Sequence, residues 1–214
     1  MNPILLNILL TVAGALLGWF LSIILKNYSK PDILISALDD NLNTNPGTHK
    51  FLALNVENKK RSWLKKAIFG EKAALFCKAK VEYFNENGSN LFSSSFDGRW
   101  SSTGEPVMQV GNERHFQYNR VPDLRFEHIM PGDSSNLAIA IKINGDQEFF
   151  AFDNVSYAYL SDAFRDPNKK VSDRLCKIKV QVTSVDGIYP KKYFWIHNPS
   201  SRLNGFKISP NRGN

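Results

Sequence analysis

The chain has 214 residues, with 27 Lys and Arg against 20 Asp and Glu and a formal net charge of +7. Residues 26–80 hold 11 basic against 5 acidic side chains, and residues 81–214 hold 16 against 15. Basicity confined to residues 26–80, next to the apolar run, argues against a nucleic-acid-binding domain, which carries a basic face of its own, and nucleic acid is not an expected partner.

The first element is an apolar helix. From Ile4 to Leu25 there are 22 residues without a charge. At about 1.5 Å per residue this run reaches roughly 33 Å, enough to cross a hydrocarbon core of about 30 Å. A cleaved signal peptide starts with a basic region and ends on small residues. Here Met1-Asn2-Pro3 has no basic side chain and the run ends Ile23-Ile24-Leu25-Lys26. The expectation is a retained transmembrane anchor over 1–27 with the lipid bilayer as its partner. Lys26 and Lys30 follow the span, so the positive-inside rule puts the C-terminal domain in the cytoplasm.

Within the span Asn7, Thr11, Gly14, Gly18 and Ser22 are spaced four, three, four and four residues apart. At about 100° per residue they fall within an arc of roughly 80°, while Leu9, Leu16, Trp19 and Ile23 take the far side. Small residues let helices approach closely in lipid, and Asn or Thr hydrogen-bonds across the contact. The stripe predicts a homo-oligomer held through the membrane helix, or a partner's helix in the same place.

Residues 28–49 read as a juxtamembrane segment and a first strand, and 50–214 as one β-domain. Phe51–Asn58 alternates, with Leu52, Leu54 and Val56 on one side. Cys77–Tyr83 and Cys176–Val182 alternate more cleanly: Val81 and Val180 face inward, Lys80 and Lys179 outward. Asn144-Gly145 between two apolar runs marks a hairpin, because a type I′ turn needs positive φ at both central residues. Asp186-Gly187 marks another turn. Tyr189–His197 carries aromatics read as core, with Lys191 and Lys192 in the turn before them. Seven to nine strands, with no second long helical pattern, predict a mainly β fold: a single transmembrane helix followed by an antiparallel immunoglobulin-like β-sandwich.

Two stretches interrupt the strand rhythm. The basic insertion 58–74 carries Lys59, Lys60, Arg61, Lys65 and Lys66, with Trp63, Leu64, Ala67 and Ile68 on one helical face. The favoured reading is an exposed loop that covers a sheet edge with its apolar residues. The alternative lays the segment on the membrane surface, with its lysines on the headgroups. In Phe96–Ser102, Asp97, Arg99 and Trp100 form either a ligand clamp, with Arg99 stacked on Trp100, or a structural turn whose Trp100 plugs the sandwich and whose Arg99 packs over it. The turn is the favoured reading.

Several short elements together, Ala74, Cys77 and Ala79, then Arg99-Trp100-Ser101, then Pro131-Gly132, resemble a group of prokaryotic proteins with an immunoglobulin-like sandwich, often behind an N-terminal anchor. Two departures stand out: Gly98 replaces the usual Leu, and Asn58–Ala74 is longer than the usual tight turn. The resemblance implies a fold and no activity.

The sequence has no Gly-rich phosphate loop, His-Glu-x-x-His, Cys-x-x-Cys or Gly-x-Ser-x-Gly motif. Cys77 and Cys176 are expected as buried thiols, or as a disulfide if the domain lies outside the cell. The expected function is that of a membrane-anchored interaction or sensor protein, not an enzyme and without cofactor or metal, presenting its β-domain to a protein or small-molecule ligand. The alternative is an effector whose anchors disturb the bilayer or line a pore.

Overall fold

The computed structural model describes residues 3–38 and 48–212; residues 39–47 of the predicted juxtamembrane segment lie outside that description. Helix α1 (Pro3–Tyr28) runs unbroken for 26 residues and is long and apolar enough to cross a membrane. None of its most apolar stretch is buried against the rest of the chain. It ends where Pro31 denies a further turn its N–H.

The rest of the chain is mainly antiparallel β-structure. In chain order the elements are β1 (Asp32–Ala37), β2 (His49–Lys59), helix α2 (Trp63–Phe69), β3 (Ala74–Phe84), β4 (Phe96–Asp97), β5 (Arg99–Trp100), β6 (Val107–Val110), β7 (Glu113–Phe116) and β8 (Glu127–Ile129). Then come β9 (Ser134–Ile143), β10 (Phe149–Ala151), β11 (Lys170–Val171), β12 (Leu175–Ser184), β13 (Gly187–Ile188), β14 (Lys192–His197) and β15 (Lys207–Ser209). The count exceeds seven to nine because several are two-residue pairings too short to show a period.

One sheet has the order β1-β2-β9-β10-β11, with β5 also on β9; the other has β15-β14-β12-β3-β4, with β8 and β13 on its edges. Strands β6 and β7 form a separate hairpin. The two large sheets share one core, to which the first contributes Leu52, Leu54, Val56, Leu137 and Ile139 and the second Val81, Tyr83, Ile178, Val180 and Val182. Leu52, Leu54, Val56, Val81 and Val180 all point inward, as their alternation predicts, while Lys80 is exposed and Lys179 half-buried.

Between β4 and β5 the chain crosses from one sheet to the other. Phe96 and Asp97 pair with β3, and Arg99 and Trp100 pair with β9. Gly98 sits at the crossing, where a Cβ would lie 2.8 Å from Leu137 Cδ1. A side chain there would require the buried Leu137 to shift. Trp100 enters the shared core fully buried, its indole N–H donating to the Arg125 carbonyl at 3.3 Å.

Strands β2 and β9 bury both faces. A register shift between Leu52 and Ala53 opposite Ala138–Ala140 marks a β-bulge, which changes the phase of β9. Ile139 and Ala140 therefore belong to the shared core, whereas Ala138, Ile141 and Ile143 join a second cluster on the outer face with Phe51, Phe150, Phe152, Tyr157 and Phe164.

Two expectations need correction, and a third, that Cys77 and Cys176 are buried thiols, holds. Insertion 58–74 does not cover a sheet edge: residues 63–69 are helical, and Trp63, Leu64 and Ile68 are exposed, Trp63 at 76% and Ile68 at 68%. In β14, Phe194 and Ile196 face the core, but Tyr193 is exposed and Trp195 half-buried on the other face, under the Lys177 ammonium. Cys77 and Cys176 are free and buried at opposite ends of the β3–β12 pairing. Some seven residues of strand, roughly 23 Å, separate their positions, whereas a disulfide needs Cα atoms within about 7 Å.

Candidate functional site

Two regions carry side chains that packing alone does not explain. The first is the end of the domain next to α1. Strand β1 leaves the helix and pairs Asp32 with Lys59, so the start of the insertion returns to the helix end. Arg61, buried, donates to the carbonyls of Ser29 and Lys30 (2.8 Å) on one side and of Phe69 (3.2 Å) and Gly70 (2.9 Å) on the other. One guanidinium thus satisfies carbonyls after α1 and at the end of α2, groups that a helix terminus leaves without partners. Gly70, at φ 67°, supplies the left-handed residue that stops α2. Tyr28 stacks on Phe69 with ring centroids 6.5 Å apart, and the Lys65 ammonium lies 5.8 Å from the Tyr28 ring.

Around this junction, exposed apolar and basic side chains alternate. Trp63, Leu64 and Ile68 of α2 are joined by Phe76 at the start of β3 and by Val185 and Ile188 in the β12–β13 turn, whose Val185 N–H donates to the Leu75 carbonyl. Lys59, Lys60, Lys65 and Lys66 are exposed; Lys66 pairs with Glu71 at 3.0 Å and the stem of Lys60 covers Gly132. Lys26, Lys30 and Lys72 surround the same turn, with Lys72 paired to Asp186 at 2.5 Å. On α1, Asn7, Thr11, Gly14, Gly18 and Ser22 are exposed, and among the described residues nothing comes within 4 Å of a Cβ placed on either glycine. The Thr11 hydroxyl donates to the Asn7 carbonyl at 2.8 Å.

The second region is a cleft of about 660 Å³ on the outer face of the β2–β9 sheet. Its walls are aromatic: Phe51 lies 4.8 Å from Phe152, Phe152 5.5 Å from Phe164 and Tyr157 5.2 Å from Phe164, the first two pairs and the third all edge-on. Phe51 comes from β2 and Phe152 follows β10, while Tyr157 and Phe164 come from the 3-10 segment Asn154–Asp162 and the turn after it. Asp153 caps the segment by accepting from Val155 and Ser156 N–H, with a return bond from Asp153 N–H to the Ser156 hydroxyl. Buried Lys169 holds Asp153 at 2.6 Å and Asp166 at 3.5 Å. Ala163 (φ 50°) and Phe164 (φ 66°) are both left-handed, a costly backbone for residues with a Cβ, and they turn Phe164 back into the cleft.

Arg99 lines this cleft. Asp97, Arg99 and Trp100 do not converge on one ligand: Asp97 pairs with Lys78 (3.5 Å) and Arg125 (3.2 Å), Trp100 fills the core, and Arg99 faces the other way. The side-chain alternation of β5 forces that divergence. Arg99 lies over the Tyr157 ring at 5.2 Å rather than over Trp100. It donates to the Trp100 (3.4 Å) and Thr103 (3.0 Å) carbonyls, and its buried Nε–H has no partner among the described residues. Burial lowers the proton affinity of its guanidinium and pushes up that of the Tyr157 hydroxyl. At the rim, Arg114 pairs with Glu105, whose other oxygen accepts from the Tyr157 hydroxyl at 3.3 Å.

The aromatic wall at 157–164 was not singled out in the sequence. The available signal was the lack of alternation in Leu137–Ile143 and Phe149–Phe152, which marks strands covered on both faces.

No family model, curated protein or solved structure matches the chain, so the resemblance rests on its short motifs around Ala74–Ala79, Arg99–Ser101 and Pro131-Gly132.

Proposed function

We propose that the chain is a single-pass membrane-anchored interaction protein: α1 spans the bilayer, copies associate through its small-residue stripe, and an immunoglobulin-like β-sandwich at the cytoplasmic surface is presented to a ligand. The observation that carries this reading is that none of the apolar stretch of α1 is buried among the described residues, while its stripe of Gly14 and Gly18 stays open. An apolar helix with no partner in its own fold needs lipid or another helix around it. The basic and apolar collar at its base supports the same reading. Trp63, Leu64 and Ile68 suit the headgroup boundary, and Lys59, Lys60, Lys65 and Lys66 suit anionic lipids.

The test is energy transfer between tagged copies in membranes, with only this chain expressed and at fixed level. Gly14→Ile with Gly18→Ile puts bulk where backbones meet and should reduce transfer severalfold. Leu9→Ile with Leu16→Ile, on the far side, should leave it unchanged. Equal transfer from both double variants would overturn homotypic association. Growth arrest on expression that depends on Asn7 and Thr11 would instead favour a membrane-disrupting effector.

A further inference from the structure

We propose that the outer-face cleft binds a small organic anion with a planar ring, its carboxylate or phosphate on Arg99 and its ring against Phe51, Phe152 and Phe164. The inference rests on the reading that the β-domain serves a ligand, and it names the chemical class.

The charge comes first. Arg99 is only 8% exposed, and no carboxylate among the described residues pairs with it. A buried cation is costly unless it is paired. Of the other buried cations, Lys169 has two carboxylates and Arg61 four carbonyls, whereas Lys142 and Lys50, like Arg99, have no carboxylate partner among the described residues; of these three, Arg99 is the one that lines the cleft. Arg99 has two carbonyls and a ring face, with its Nε–H left over. A guanidinium offers five donors in a planar fork suited to two oxygens of one anion. Arg114 is already engaged by Glu105, so the cleft has a place for one anionic group.

Shape and position supply the rest. About 660 Å³ lies within the range of small-molecule sites, roughly 300–1,000 Å³. Rings set edge-on to one another present faces against which a flat ligand stacks. The ligand is not a headgroup of the bilayer around α1. Phe51 lies eight residues along β2 from Lys59, at the helix end, which is about 26 Å of strand.

The experiment uses the full chain in phosphatidylcholine nanodiscs and two matched probe pairs: 2-naphthoate with 2-naphthalenemethanol, and adenosine monophosphate with adenosine. Titration calorimetry should show at least one anion binding ten-fold or more tightly than its neutral counterpart. Naphthoate preference alone identifies a carboxylate ligand, and nucleotide preference alone a phosphate. Arg99→Met should remove the preference, weakening the anion roughly ten- to hundred-fold. Its melting temperature should not fall, since an apolar chain replaces an unpaired guanidinium. Should Arg99→Met not fold, Leu160→Trp at the half-buried cleft wall fills the space while keeping Arg99 and should abolish binding of both members of a pair. No anion preference in either pair, undiminished binding by Arg99→Met, or binding that survives Leu160→Trp would each overturn the proposal. Energy transfer between copies is a separate measurement, so loss of anion preference with association intact fails the cleft alone.

Discussion

Strands β9 and β12 are each ten residues long and each lies in the interior of its sheet, yet they are buried differently. In β12 Cys176, Ile178, Val180 and Val182 are buried while Lys177, Lys179 and Gln181 are half-exposed. In β9 every residue from Leu137 to Ile143 is buried, including Lys142. The difference comes from what lies on the far side. Water and long cationic side chains cover the outer face of β12, with Lys177 and Lys179 spread over aromatic rings. Over β9 lie Phe152, Tyr157 and Phe164, carried by a capped 3-10 segment and a strained turn. A sheet with one wet face provides a wall; one covered on both faces can also hold a cleft, because its second layer is made of short segments rather than another sheet.

The largest effect that tests this contrast is a buried carboxylate. Val180→Asp and Ile141→Asp should each lower stability by about 3–5 kcal/mol, because each strands an unpaired charge in a closed core. Lys179→Asp, adjacent to Val180, should cost about 1 kcal/mol, through loss of the 2.5 Å pair with Glu82 and the like charge that replaces it. Urea unfolding would measure all three. Tolerance of Ile141→Asp would show that the outer face of β9 is wet after all.

A smaller effect should come from Lys142, which is fully buried, donates to the Asn198 side chain and to the Gln147 carbonyl (3.4 Å), and lies across from Lys50 in the strand register. Burial lowers its folded-state pKa below 10.5, against the weaker pull of Asp146 and Glu148. The unfolded chain then holds more protons between the two values, so the penalty is present at low pH and is relieved as pH rises through the folded value. As pH rises towards 10.5, the melting temperature of the native chain should rise relative to that of Lys142→Met. A constant difference across that range would show that Lys142 titrates as it does in water.

The smallest expected effect is none. Burial pushes the Cys77 and Cys176 thiols up to about 12, so at pH 8 the reactive thiolate is roughly one part in 10⁴. Maleimide labelling of the folded chain should stay at background and become complete in denaturant. Labelling of Cys176 without denaturant would mean that the inner face of β12 opens. Silent native thiols also leave a cysteine introduced at exposed Lys191 free to report which side of the membrane the domain occupies.

Where one period governed the packing, the sequence was enough. An uncharged run of 22 residues spells out a long apolar helix, since few other folds accommodate it. The alternation in β3 and β12 gives the inward set residue by residue, because side chains in a strand can point only two ways. The same rule, applied across Gly98, places Arg99 and Trp100 on opposite faces of β5, although a clamp had been considered for them. Other features depended on partners far away in the chain. The exposure of Trp63, Leu64 and Ile68 follows from Arg61 pinning both ends of the junction, a contact spanning some thirty residues that no local pattern records. Likewise, Arg99 has no carboxylate partner only because β5, β9 and the segment 154–164 close around it from three parts of the chain. Local periodicity decides which face a residue takes; only the tertiary structure decides what stands opposite that face, and at Arg99 that is an open cleft rather than a carboxylate.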